Sequence, residues 1–153
     1  MYRRFFFFIF LLNIANVNAQ QTQRLTDSIL KYQFLNPNLA VEFGMEYVEL
    51  RASDTPDQEM VRTYSKIGEI LLYMELYSSS LEYFNTALRI FKSIKEVKDG
   101  NNSFSKTDPP WVVLNIGNIY FKNRNYKKAL EKFEEARKLF EIEEDPMDRL
   151  NGF

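Results

Sequence analysis

Histidine and cysteine are both absent from the chain, so any chemistry must come from carboxylates, lysines, tyrosines and amides. Thiolate nucleophiles, disulfides and every zinc, haem or iron–sulfur site built on Cys or His are excluded. Triads and acid–base pairs that need imidazole are excluded with them. The acid run Glu141-Ile142-Glu143-Glu144-Asp145 has the charge for a calcium ion but neither loop spacing nor a turn glycine, and reads as a solvated helix end. Lys122, Arg124, Lys127 and Lys128 cluster around a turn, but nucleic-acid binding asks for more charge and interleaved exposed aromatics. No Gly-rich phosphate loop exists. The sequence therefore predicts no catalytic residue, no cofactor site, no metal site and no nucleic-acid partner. A carboxylate and tyrosine enzyme is the competing class; it needs two carboxylates facing each other at roughly 5–10 Å, and nothing in the spacing supplies them.

The elements that could position binding groups are helices. Apolar residues make up 45% of 153, and only five Gly and five Pro punctuate the chain. That favours long helices in one domain of ordinary size. A net charge of −1 gives no global field to recruit polyanions.

The first nineteen residues stand apart. Arg3 and Arg4 precede an unbroken apolar run, Phe5 to Leu12, and Val17-Asn18-Ala19 precedes polar Gln20. This is the pattern of a cleaved secretory signal, and the run is too short to span about 30 Å of hydrocarbon. The expected mature chain starts at Gln20, with no stable membrane span, in the periplasm or outside the cell.

Two segments align on a glycine: Tyr64 to Ala87 and Val113 to Ala136. From Gly68 and Gly117, Leu71 and Tyr120 lie three residues on, Ser80 and Ala129 twelve, Phe84 and Phe133 sixteen, Ala87 and Ala136 nineteen. The first set occupies one face of a first helix and the second set one face of its partner. Small residues at the crossing allow close approach, and the Phe fills the space behind it. This pattern resembles the tetratricopeptide repeat, W-x2-L-G-x2-Y…A-x3-F, with Tyr64 and Val113 in place of the Trp and no trailing Pro. The resemblance implies an all-α, right-handed solenoid of antiparallel helix pairs, about three repeats. A degenerate first pair fits Thr22 to Leu35 and Pro37 to Arg51, with Ala40, Gly44 and Tyr47 at the small, bulky and small positions.

Local signals bound the elements. Asn36-Pro37 reads as an N-cap and first helical residue. Thr55-Pro56-Asp57-Gln58 reads as a capping box with Pro56 opening the helix. Ser79-Leu81-Glu82 suggests the start of its partner, and Asp108-Pro109-Pro110 opens the helix of Trp111. The tyrosines at 64, 73, 77, 83, 120 and 126 read as core and interhelix fillers. The glycines lie 49 residues apart against about 34 in the standard repeat, and the excess falls in a polar loop. The expected layout is a signal over 1–19, a first pair over 20–52, a second repeat over 55–95, a loop over 96–110, a third repeat over 111–143 and a tail over 144–153.

Solenoid geometry turns the first helix of each pair toward a concave groove. Once the core positions are assigned, Arg62, Lys66, Glu69 and Tyr73 remain on one such helix, and Trp111, Asn115, Asn118 and Lys122 on the other. Amides and charges suit a peptide backbone, and Tyr and Trp suit anchoring. Some relatives hold a C-terminal carboxylate with Lys, Arg and Asn in this groove; the placement here does not match that set. The expected function is a non-catalytic scaffold binding a partner peptide or helix. The long repeat spacing, the leader and the Asn36-Pro37 opening also resemble extracytoplasmic sensor regions of bacterial two-component regulators, especially in Bacteroidetes. A truncated relative of such a kinase or transcriptional regulator is the alternative reading. The last helix is expected to expose an apolar flank to another copy or a partner subunit, because arrays need a polar terminal cap.

Overall fold

The computed structural model describes residues 18–97 and 109–143, and among these residues there are six helices and no strand. The apolar leader, most of the predicted loop and the tail lie outside the described residues. The helices are α1 (18–32), α2 (Pro37–Leu50), α3 (Gln58–Tyr73), α4 (Tyr77–Val97), α5 (Pro109–Lys122) and α6 (Tyr126–Glu143). Among the described residues no helix is long and apolar enough to cross a membrane. The chain divides into two compact units, Met1–Asp54 and Thr55–Phe153.

In the first unit α1 and α2 meet through the rings of Tyr32 and Phe43, 5.8 Å apart. Leu25, Ile29, Ala40 and Tyr47 are buried. Helix α1 begins earlier than its sequence suggests and ends at 32, followed by a turn over 33–35. The N-cap of α2 is as expected: the Asn36 side chain accepts from the Leu39 N–H, with Pro37 in the first turn. The bulky residue has moved one turn along α2. Gly44 stands where the other pairs have Phe, and buried Tyr47 fills the space, its hydroxyl accepting from Arg51 Nη1 at 3.2 Å.

The second unit contains two helix pairs. Helix α3 packs on α4, α5 on α6, and α5 also lies against α3 and α4. The registers behind this are the two glycines. A Cβ on Gly68 would come 2.8 Å from the Phe84 ring, and one on Gly117 would come 2.5 Å from the Phe133 ring. Each Phe lies on a helix face that only glycine leaves open. Ser80 adds a hydrogen bond at the crossing, donating from Oγ to the Gly68 carbonyl at 2.7 Å.

Two predicted helix starts are corrected. Asp57, not Thr55, caps α3 and accepts from the Met60 N–H at 2.9 Å, leaving Pro56 outside the helix. A carboxylate is the stronger acceptor there, and the helix N-terminus favours its charge. Helix α4 begins at Tyr77 rather than near Ser79, because the preceding turn delivers the chain directly into it. In that turn Glu75 adopts φ 60°. The Glu75 N–H bonds the Leu72 carbonyl and the Leu76 N–H that of Leu71, which closes a Schellman motif. Arg124, at φ 59°, closes α5 in the same way through Phe121 and Tyr120.

Candidate partner-binding face

The groove candidates recur at the same spacing on two helices: positions 62, 66, 69 and 73 on α3, and 111, 115, 118 and 122 on α5. Steps of four, three and four residues keep a helical stripe on one side. On α3 that stripe lies away from the buried Ile67 and Leu71, with buried Ile70 along its edge, and on α5 it lies away from the buried Val113, Ile116 and Gly117. Because α3 and α5 touch, the two stripes belong to neighbouring helices of one unit.

Within each stripe the central residues pair along their own helix. Lys66 Nζ reaches Glu69 Oε2 at 2.6 Å, with both side chains about a third exposed. An ion pair so open to water contributes about 0–1 kcal/mol, so it is readily exchanged for a partner's charges. Asn118 Nδ2 donates to Asn115 Oδ1 at 3.3 Å. This bond links the two amides and leaves the Asn115 amine and the Asn118 carbonyl as a donor and an acceptor. A peptide backbone offers the complement of both. Tyr73 at one end is 74% exposed, and Arg62 and Lys122 are exposed.

Trp111 is divided between two roles. It is 47% exposed, yet its ring meets the edge of Phe140 at 5.1 Å and 81°. One edge secures the start of α5 to the end of α6 while the rest stays in solvent. The sequence marked Trp111 as an anchor but could not show a contact between residues so far apart in the chain.

Two predicted core residues are corrected. Tyr126 is 59% exposed and meets Phe121 edge-on at 5.6 Å. Tyr73 likewise lies outside the core. Tyr64 and Tyr83 do bridge α3 and α4, with centroids 5.8 Å apart. Burial and the Tyr64 and Glu82 neighbours push the Tyr83 phenol above its ordinary value. Sequence reasoning also missed the exposed Phe121 and Leu130; their signal is equivalence, 49 residues on, with Leu72 and Leu81. No group of acidic residues able to hold a metal ion occurs among the described residues.

Comparison with known proteins agrees with this architecture. A family profile, tetratricopeptide repeat, matches residues 111–141. The structure is similar to one described as the crystal structure of MamA, with a TM-score of 0.56 and 16% sequence identity, covering 81% of this chain and 61% of that one. This chain thus spans about three-fifths of the length of its structural relative, and the likeness is one of fold. No curated protein sequence matches the chain. Repeat solenoids of this kind are typically scaffolds whose stacked helices present an extended surface to other proteins.

Proposed function

We propose that the chain is a non-catalytic protein–protein interaction scaffold that holds an extended peptide or a helix of a partner across the α3 and α5 stripes. The observation that carries this reading is the hydrogen-bonded amide pair, Asn118 on Asn115 at 3.3 Å, flanked by exposed aromatic and charged groups. It offers backbone recognition without any reacting group. Tyr73 and Trp111 supply apolar anchors at the ends, and the Lys66–Glu69 pair supplies exchangeable charge. A second partner contact lies at the α6 end, where an apolar flank is open to another copy or another subunit.

The apolar leader supports export to the periplasm or beyond. N-terminal sequencing of the protein recovered from the envelope is expected to begin at Gln20; an intact Met1 start would contradict cleavage. The extracytoplasmic sensor region of a two-component regulator remains the alternative setting for the same binding face, favoured by the repeat spacing and the leader.

The direct test is capture from envelope extract with the wild type and a Lys66→Glu/Asn118→Ala variant, after circular dichroism has shown equal helicity. A partner taken by the wild type and lost by the variant supports the stripes as the site. A partner held equally by both rejects them.

A further inference from the structure

The α6 flank has a counterpart inside the molecule whose occupant is known. Phe84 lies in one cluster with Val112, Ile116 and Ile119 of α5, joined by Leu72, Tyr77, Leu81 and Leu88. A shift of 49 residues carries that platform onto Phe133, Phe121, Tyr126, Leu130 and Arg137. The inner platform is covered by a helix with aliphatic residues at steps of four and three. On the outer one Phe121, Tyr126 and Leu130 are more than half exposed, and no described helix follows α6 to cover them.

The two platforms differ in charge. At the inner turn stand Glu75 and Ser78; at the outer turn the same positions hold Arg124 and Lys127, and Arg137 replaces Leu88. Glu141 pairs with Arg137, Nη1 to Oε1 at 2.5 Å, and Glu134 also lies along α6, so the positive excess is local to the turn. We propose that the outer platform docks an amphipathic helix of a separate partner protein, with aliphatic residues spaced as Val112, Ile116 and Ile119 and with acidic residues beside them. The apolar set follows from the helix that fills the inner platform, and the acidic flank follows from the changed charges. A second copy is a poorer occupant. It would bring the same cations, and of the α1 positions that correspond to Val112, Ile116 and Ile119 only Leu30 is apolar, the other two being Gln23 and Asp27, which bond each other at 3.0 Å. This surface deepens the α6 contact of the proposed function and is distinct from the α3 and α5 stripes, so it stands or falls separately from them.

The test uses the full chain and two fourteen-residue probe peptides, the length of α5. Both carry Val, Ile and Ile at that spacing; one has Glu at its outward positions, the other Lys. The acidic peptide is expected to bind at least about tenfold more tightly, with affinity falling as salt rises. Arg124→Glu/Lys127→Ser, which installs the inner turn's own residues and so preserves the fold, should remove that preference. Leu130→Asp should abolish binding while circular dichroism stays unchanged. Equal binding of the two peptides, or binding indifferent to Leu130→Asp, overturns the proposal. A homodimer in sedimentation that dissolves with Leu130→Asp assigns the platform to a second copy and overturns it. Binding that emerges only when 144–153 are deleted assigns it to the chain's own tail and overturns it too.

Discussion

The pairs α3–α4 and α5–α6 are built on one pattern but live in different surroundings, and the difference separates what a repeat needs to form from what it needs to be covered. Both close a glycine onto a phenylalanine ring, and both turn through a residue of positive φ. In the inner pair Phe84 is 0% exposed, lying beneath α5. In the outer pair Phe133 is half-buried. The hairpin is thus a local product of sequence, whereas core formation depends on the next helix.

That contrast can be broken by substitution. The largest effect is expected for Phe84→Ala, which should lower unfolding stability by about 3–5 kcal/mol; Phe133→Ala should cost about half as much. Equal losses in denaturant titrations would remove the distinction. Next come the glycines. Gly68→Ala forces apart a ring that is packed on all sides, and should cost about 1–3 kcal/mol, less about 1 kcal/mol of helix propensity gained. Gly117→Ala has the shorter clash, 2.5 Å against 2.8 Å, yet should be near neutral because the Phe133 ring can turn toward solvent. If Gly117→Ala proves the costlier change, distance rather than confinement governs the crossing.

A smaller effect attends Ser80→Ala. It removes a buried hydrogen bond worth about 1 kcal/mol and leaves the residue that the outer pair already has at Ala129. Glu75→Gly and Arg124→Gly should each stabilise by about 1 kcal/mol, since an L-residue is strained at positive φ. Unequal gains would show that one turn is held by its neighbours. The smallest effect is alkaline. Because the folded protein raises the Tyr83 phenol, its contribution is complete below the unfolded value near 10 and is lost as pH rises through the folded one. Tyr83→Phe should flatten the loss of thermal stability above pH 10, and an unchanged slope would assign it to other groups.

The hairpins were legible in the sequence because spacing alone defines them: twelve residues from Gly68 to Ser80 and sixteen to Phe84 fix two faces and their crossing. Less legible were the ends. The turns themselves were legible, but neither Glu75 nor Arg124 is a residue type that announces a positive φ, so the early start of α4 was hidden, and Asp57 displaced Thr55 as the cap through its charge. Coverage was not legible either. Tyr77 and Tyr126 have the same spacing and opposite environments, because periodicity gives the direction of a side chain and not what lies in front of it. For the proposed binding face, spacing put each set of four residues on one side of its helix, but the Asn115–Asn118 bond and the Trp111–Phe140 contact emerged only from the folded arrangement.

The central claim is that the α3 and α5 stripes receive a partner. Hydrogen exchange of the chain, alone and with the captured partner bound, tests it most directly. The account predicts added protection across α3 and α5, including the turns around Asn115 and Asn118, and its loss with Lys66→Glu/Asn118→Ala. Protection confined to α6, with α3 and α5 exchanging as in the free protein, would contradict it.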